Sequence, residues 1–455
     1  MNPKAKAVIL AGGDGSRIWP YSVIRNKSMI PISNKPIIAH TVEVLLDLEV
    51  TPIIIVADAF VEEIKHYFRL YSQVIVKQIP RVSGSAKTLL EVKDEVQEKF
   101  YTFFGDCLVQ KEDIMQLIKQ ETISTSITQT KDNSRNHITV SYDNMQIIAF
   151  NGHHRGNDDS RILCAALLSS EVFKYLEVNV GRFLNTKVGV GSPDECFLES
   201  SLQDLVNDGT VIKPLETTYQ AFDINKPWDI LIANQYVNQL LCERIKNSII
   251  DTSVQIDKSA RIEGHVIIKR GCVIGKNVWI QGNVIIDEEC IIENGAIIGE
   301  NTCIGKRCKI QNYAKIGANS TVGDDCIIEH CAEFLNGVLM CKTYLYHHGE
   351  FYGICGENTD IGAGTVCGTL RFDDGETIHV INGRKEVPVG YANATYLGDY
   401  VRTGVNVIFQ PGVMVGVSSV VGSGVILNQI VKDRKLIYVN QDLTITDWSE
   451  EKYGW

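Results

Sequence analysis

From Ile256 onward, every sixth residue is apolar: Ile256, Ile262, Ile268, Ile274, Ile280, Ile286, Ile292, Ile298, Ile304, Ile310, Ile316, Val322, Ile328, Phe334 and Met340. An amphipathic helix repeats at 3.6 residues and a strand at 2, so neither period accounts for this spacing. A period of six predicts a solenoid of hexapeptide units, in which each short strand sends one aliphatic side chain inward and three strands close a coil of 18 residues. Glycine often follows the inward residue, as in IGKN, IGEN, IGKR, IGAN and VGDD. Glycine and asparagine suit sharp corners because they tolerate the left-handed backbone region. Cysteines at 272, 290, 308 and 326 recur every 18 residues and are expected to stack as small apolar side chains, with no metal bound.

The period breaks after Met340 and returns at Leu397, Thr403, Phe409, Val415, Val421 and Leu427. Residues 371–391 between them read as an inserted loop, and an interruption of such a prism is a place to look for function. The repeat resembles the left-handed parallel β-helix of hexapeptide-repeat proteins.

Residues 1 to about 230 have a different rhythm. AVILAG, PIIIVAD, VIVKQI and YTFFGD read as buried strands, and KPIIAHTVEVLLDL and AFVEEIKHYFRLY as helices between them. This alternation predicts an α/β, Rossmann-like layer with a mostly parallel sheet, whose ligands gather at the carboxyl ends of strands. LAGGDGSR and FFGD both fall at such ends. The division expected is a first domain at 1–229, a connecting helix at 230–250, and a solenoid at 251–455. The formal charge of −11 excludes a broad field attracting nucleic acid or an anionic membrane, so phosphates must be held by a few local groups. With no apolar run of about 20 residues, a membrane span is not expected. Thirteen cysteines without a CxxC pair point to reduced thiols in the cytoplasm.

In the glycine-rich turn, Gly12, Gly13 and Gly15 let main-chain amides approach a nucleotide, while Arg17 and Lys27 supply charge for phosphates. It has neither the dinucleotide fingerprint nor the Walker spacing. The whole string LAGGDGSRIWPYSVIRNKSMIPISNKPIIAH resembles the signature of sugar-1-phosphate nucleotidyltransferases. Gln78 followed by GSAKTL looks like their base-recognition segment, FFGD places Asp106 at a metal-binding aspartate, and FDINKPWDILIAN looks like the segment carrying the second metal ligand. With the β-helix behind it, nearly the whole chain resembles the bifunctional uridylyltransferase/glucosamine-1-phosphate acetyltransferase group, especially its archaeal-type members.

The resemblance implies in-line attack by a sugar-1-phosphate on the α-phosphorus of a nucleoside triphosphate, with pyrophosphate released. Leu10, Ala11, Gly12, Gly13, Gly15, Ser16, Gln78, Gly84 and Ser85 would bind nucleotide, and Arg17 and Lys27 would be catalytic. Mg²⁺ would be held by Asp106 and either Asp223 or, second, Asn225. Where the group carries a Glu-Lys-Pro sugar clamp, this chain reads QIIAFNGHHRG, and CAA (164–166) stands for the Asn-x-Gly segment. His153, His154 and Arg155 fit a solvated loop better than a replacement clamp.

The segment HHGEFYGICGENTDIGAGTVCGTLRFDD resembles the acetyltransferase stretch, in which a histidine takes a proton from a sugar amine attacking acetyl-CoA. His347 or His348 would be that base, with spacing to IGAGT short by one or two residues. Asp360 and Thr369 stand where asparagines are expected, and Arg402 would meet a CoA phosphate. The group forms homotrimers. Two other readings stay open: a solenoid that only oligomerises or regulates, and a non-catalytic nucleotide- or sugar-binding regulator.

Overall fold

The computed structural model of the chain describes residues 4–13, 15–130, 137–153, 160–181 and 195–448. His154 and Arg155 lie outside the described residues.

Four aliphatic runs form the parallel half of the first sheet, in the order Val74–Gln78, Ile53–Ala57, Ala5–Leu10, Val96–Phe104. Beyond the last, Ser160–Ser169 runs antiparallel, and Ser124–Thr130, Ile138–Asp143, Gln146–His153 and Lys213–Glu216 extend the sheet with mixed directions. Beyond this parallel half the pairing is antiparallel, except that Lys213–Glu216 runs parallel to Ser124–Thr130. The helix Ile37–Asp47 turns Ile38, Val42 and Leu45 onto the sheet at helical spacing, and all three are fully buried. No helix among the described residues is long and apolar enough to cross a membrane.

The second half is a left-handed parallel β-helix. Its strands pair in three walls at a spacing of 18 residues: Ile250 on Ile268, Ile256 on Ile274, Ile262 on Ile280. The helix joining the halves is Pro227–Glu243, shorter than the run to residue 250, because Ile249–Ile250 already form the first solenoid strand. The six-residue ladder thus begins one step before Ile256. It also shifts phase earlier than the apolar pattern suggests. Val322 pairs with Leu339, and Leu339 fills the coil interior while Met340 packs outward against the first domain. The apolar hit at Met340 is a coincidence of two adjacent apolar residues. In the shifted phase the interior line continues through Leu345, Phe351, Cys355, Ile361 and Cys367 to the insertion. Coils near His347 are one or two residues short, with Ile328 paired to Leu345 and Leu345 to Ile361.

Asparagine and glycine take left-handed corners as expected, Gly271 and Gly295 among them with φ of 73° and 69°, but the glycines that follow the inward residue do not. Asn277, Asn301, Arg307, Asn319 and Asp325, not the preceding glycines, take the left-handed conformation, with φ of 54–59°. The glycines answer a steric demand: a β-carbon at Gly305 would lie 2.5 Å from Asp324 Oδ1 and 2.8 Å from Asp324 N in the next coil. The stacked thiols of Cys272, Cys290 and Cys308 each donate to a carbonyl of the following coil at 2.9 Å, and all thirteen cysteines are unbridged.

Between the halves, Ile18, Tyr21, Ile30 and Trp228 pack on Met340, Ile354, Tyr396 and Met414. Arg25, 4% exposed, crosses this seam to Asp399 at 2.6 Å and Glu357 at 3.5 Å.

Candidate functional site

Adjacent parallel strands end at Leu10 and Phe104, and Gly105 N–H donates to Leu10 O at 2.8 Å, so the glycine turn and Asp106 sit side by side. Gly13 N–H is held by Asp58 Oδ1 at 3.2 Å, and Gly15 has a φ of 59°, turning the chain into the short 3-10 segment that carries Ser16 and Arg17. Lys27 begins a second 3-10 turn, Lys27–Met29, pinned by Asn26. That amide donates to Ala11 O and Ala59 O at 3.0 Å each and accepts from Ser28 N at 2.9 Å. Asp223 arrives on the two-residue strand Phe222–Asp223, which pairs antiparallel with Cys107–Leu108 and so lies next to Asp106.

The charged groups converge. Lys27 Nζ donates to Asp106 Oδ2 at 2.5 Å and to Asn225 Oδ1 at 2.9 Å. Arg17 Nη2 donates to the same Asn225 oxygen at 2.6 Å, and Asn225 Nδ2 donates to Asp223 Oδ2 at 2.5 Å. Asn225 is itself fixed by Asp229, whose carboxylate accepts the main-chain N–H of Asn225 and Lys226 at 2.8 and 2.7 Å. Burial pushes the Asp223 carboxyl up, but His137, 3.4 Å away, and the charges of Lys27 and Arg17 outweigh it and hold the group well below the usual carboxylate range. Of the pair left open by sequence, Asp223 is held as an ionised carboxylate, whereas the Asn225 oxygen is engaged by two cations.

The base-recognition candidates lie nearby. Gln78 ends its strand and lines a cavity of about 540 Å³ with Arg25, Asp58, Glu63, Glu357 and Tyr400. Gly84 has a φ of 93°, and a β-carbon there would lie 2.3 Å from Cys196 O. Ser85 Oγ accepts the N–H of Leu198 at 2.8 Å, which ties this turn to the helix Leu198–Asn207.

That helix supplies a residue that sequence reasoning missed. Glu199 is 9% exposed, its Oε2 has no hydrogen-bond partner among the described residues, and burial with the nearby charges of Asp223 and Asp106 raises its pKa to about 7. An acidic residue in the first turn of an amphipathic helix is commonplace, so only the fold reveals its proximity to the aspartates.

On the solenoid, His347 Nδ1 meets Glu329 Oε2 at 2.8 Å, and Glu329 Oε1 accepts from Tyr344 Oη at 2.6 Å. Burial raises the Glu329 pKa, but hydrogen bonds from Tyr344 and His347 outweigh it and hold the carboxylate ionised. Gly364 N–H donates to His347 O at 3.0 Å, so the GAGT turn lies one coil beyond the histidine. His348 occupies the left-handed corner, with a φ of 56°, edge-on to His347. Asp360 and Arg402 stack on successive coils at 3.4 Å. Thr369 lies apart, after Val366–Cys367 on a different wall where the insertion departs. Ligand atoms of Glu329, His330 and His347 lie within 4.8 Å of one another, a donor set suited to a borderline transition metal.

Comparison with known proteins gives concordant results. Residues 6–150 match the nucleotidyl transferase family model, and residues 238–307 match the GlmU-like C-terminal hexapeptide model. A bifunctional protein GlmU of Methanococcus maripaludis is 32% identical over 97% of this chain and 98% of its own length. A bifunctional protein GlmU of Methanocaldococcus jannaschii is 28% identical over 96% and 98%. A bifunctional sugar-1-phosphate nucleotidylyltransferase/acetyltransferase of Sulfurisphaera tokodaii is 25% identical over 94% and 98%.

Proposed function

The chain belongs to the family of bifunctional GlmU proteins, and from that premise we propose that its first half joins a sugar-1-phosphate to a nucleoside triphosphate, releasing pyrophosphate, while its second half transfers an acetyl group from acetyl-CoA to a sugar amine. The observation carrying the first activity is the convergence of Lys27, Arg17, Asn225 and Asp106 beside the glycine turn.

A phosphate monoester is already nucleophilic, so the residues need only position it and neutralise charge. An ammonium has three protons. Two of those on Lys27 are directed at Asp106 and Asn225, and the third is left for a phosphoryl oxygen. Arg17, fixed by Asn225 on one edge, offers its remaining N–H groups to the departing phosphates. Leu10 to Gly13, Gly15 and Ser16 would cradle the nucleotide, with Gln78, Gly84 and Ser85 toward the base. The all-oxygen pair Asp106 and Asp223, one held ionised, fits Mg²⁺, which prefers hard oxygen ligands. When bound, that ion would supply charge neutralisation on the substrate phosphates.

For acetyl transfer, the Glu329 contact makes Nδ1 of His347 the protonated nitrogen and leaves Nε2 with a lone pair. The sugar amine forms the C–N bond, the C–S bond breaks, and its proton passes through Nε2 to the departing thiolate. His347 is thus the base, His348 packs beside it, and Arg402, oriented by Asp360, faces CoA phosphate. The same reading places the protein in the cytoplasm, where its thirteen free thiols remain reduced. It also makes the protein a homotrimer. Val273 and Ile291 stand exposed in one column of a flat solenoid wall, the surface a threefold interface buries.

Pyrophosphate release across a panel of nucleoside triphosphates and sugar-1-phosphates with Mg²⁺ tests the first half. Thiol release from acetyl-CoA with amino-sugar phosphates tests the second. Nucleotide binding without turnover in either assay would favour a regulatory protein.

A further inference from the structure

The insertion in the β-helix does not hang in solvent. Positions 366 and 408 pair as neighbours in the wall, and the chain between them folds an antiparallel hairpin, His379–Ile381 with Arg384–Glu386. Its turn is Asn382–Gly383, both at positive φ (47° and 78°), the combination that a tight two-residue hairpin demands. The hairpin is anchored on the first domain: Ile381 joins the seam with Ile224 and Trp228, and the His379 ring lies 5.2 Å from that of Trp228. His379 Nε2 is bonded to Ala392 O at 2.7 Å.

From this platform, two side chains reach the nucleotidyl-transfer site on either side of Arg17. Glu386 Oε1 meets Lys226 Nζ at 2.5 Å, with the two side chains 16% and 4% exposed. Lys226 directly follows Asn225, whose oxygen receives Arg17 and Lys27. On the other side, Asn382 Nδ2 donates to Ser16 Oγ at 3.3 Å, within the turn that carries Arg17. A buried ammonium next to a guanidinium is unfavourable unless carboxylates compensate it; the one bonded to it comes from the solenoid, with a lesser contribution from Asp229.

We infer that the solenoid hairpin is a working part of the nucleotidyl-transfer site, with Glu386 positioning Lys226 and the Asn225 turn, and Asn382 positioning the glycine turn through Ser16. The inference rests on the transfer activity proposed above. Glu386 and Asn382 are positioning residues: they act through Lys226 and Ser16. Without the Glu386 charge, Lys226 repels Arg17 across Asn225, and the cations shift from the place where charge develops. Without Asn382, the triphosphate cradle loosens while the cations stay.

The test uses the full-length protein and the pyrophosphate-release assay, with Asp106→Asn as the inactive control. Glu386→Gln keeps an acceptor oxygen for Lys226 and so avoids the unpaired ammonium that Glu386→Ala would leave. It is expected to lower kcat about tenfold with the KM for nucleoside triphosphate little changed. Asn382→Ala is expected to raise that KM about threefold at unchanged kcat. Acetyl-CoA thiol release should stay at the wild-type value in both variants; the melting temperature should hold in Asn382→Ala and fall in Glu386→Gln, which removes the charge facing a buried ammonium. Wild-type kcat and KM in both variants, beside an inactive Asp106→Asn, would overturn the inference and leave the transfer activity standing. A parallel fall in melting temperature and both activities would overturn it too, reducing the hairpin to a structural clamp. No pyrophosphate release by the wild type would remove the transfer activity and the inference with it.

Discussion

At the scale of single residues, the first site works by shared acceptors. Asn225 receives both Arg17 and Lys27 on one oxygen and hands its own protons to Asp223, so each charge fixes its neighbour's position. Removing one preorganised cation from such a site typically costs a factor of about 10² to 10³ in rate, so Lys27→Ala should lower kcat for pyrophosphate release by that order with the fold intact. Glu199 offers a separate test through stability. Its folded pKa of about 7 lies above the ordinary value of 4.5, so the folded state keeps a proton that the unfolded chain has already lost. Stability from this group is whole below about pH 4.5 and falls as pH rises toward 7. Glu199→Gln should therefore melt higher than the wild type at pH 8, with the gap closing by pH 4.5, as followed by thermal denaturation.

At the scale of elements, the hexapeptide coil places interior residues by period and corners by sterics. Gly305→Ala sets a β-carbon against Asp324 N in the next coil. Overpacking of this kind costs about 1–3 kcal/mol, measurable as a shift in denaturation midpoint. The solenoid was legible because one side-chain class recurs at one spacing, and each inward isoleucine answers to the same environment. The phase slip at Leu339 was not, since Leu339 and Met340 are both apolar and only pairing decides which points inward. Lys27, Arg17 and Asp106 were legible as members of one string or at a strand end. Glu199, Glu329 and Glu386 were not, because each reaches its partner across the fold from an unremarkable sequence context. The choice of His347 over His348 likewise depends on Glu329, one coil earlier.

At the scale of the whole molecule, the two halves share a seam of apolar packing crossed by a buried ion pair. Arg25→Met leaves Asp399, fully buried, without its guanidinium, and breaking one side of a buried pair costs about 3–5 kcal/mol; a lowered melting temperature would show it. Ile291→Lys places a charge in the exposed aliphatic column of the solenoid wall. Analytical ultracentrifugation should then report a lighter species than the trimer expected of the wild type. Neither change touches the cations at the glycine turn. The most direct measurement is the release of pyrophosphate when the full-length protein, with Mg²⁺, meets nucleoside triphosphates and sugar-1-phosphates, set against Asp106→Asn. Turnover by the wild type that the substitution abolishes is the expected result. Turnover that survives Asp106→Asn, or none from the wild type across a broad panel, would contradict the account.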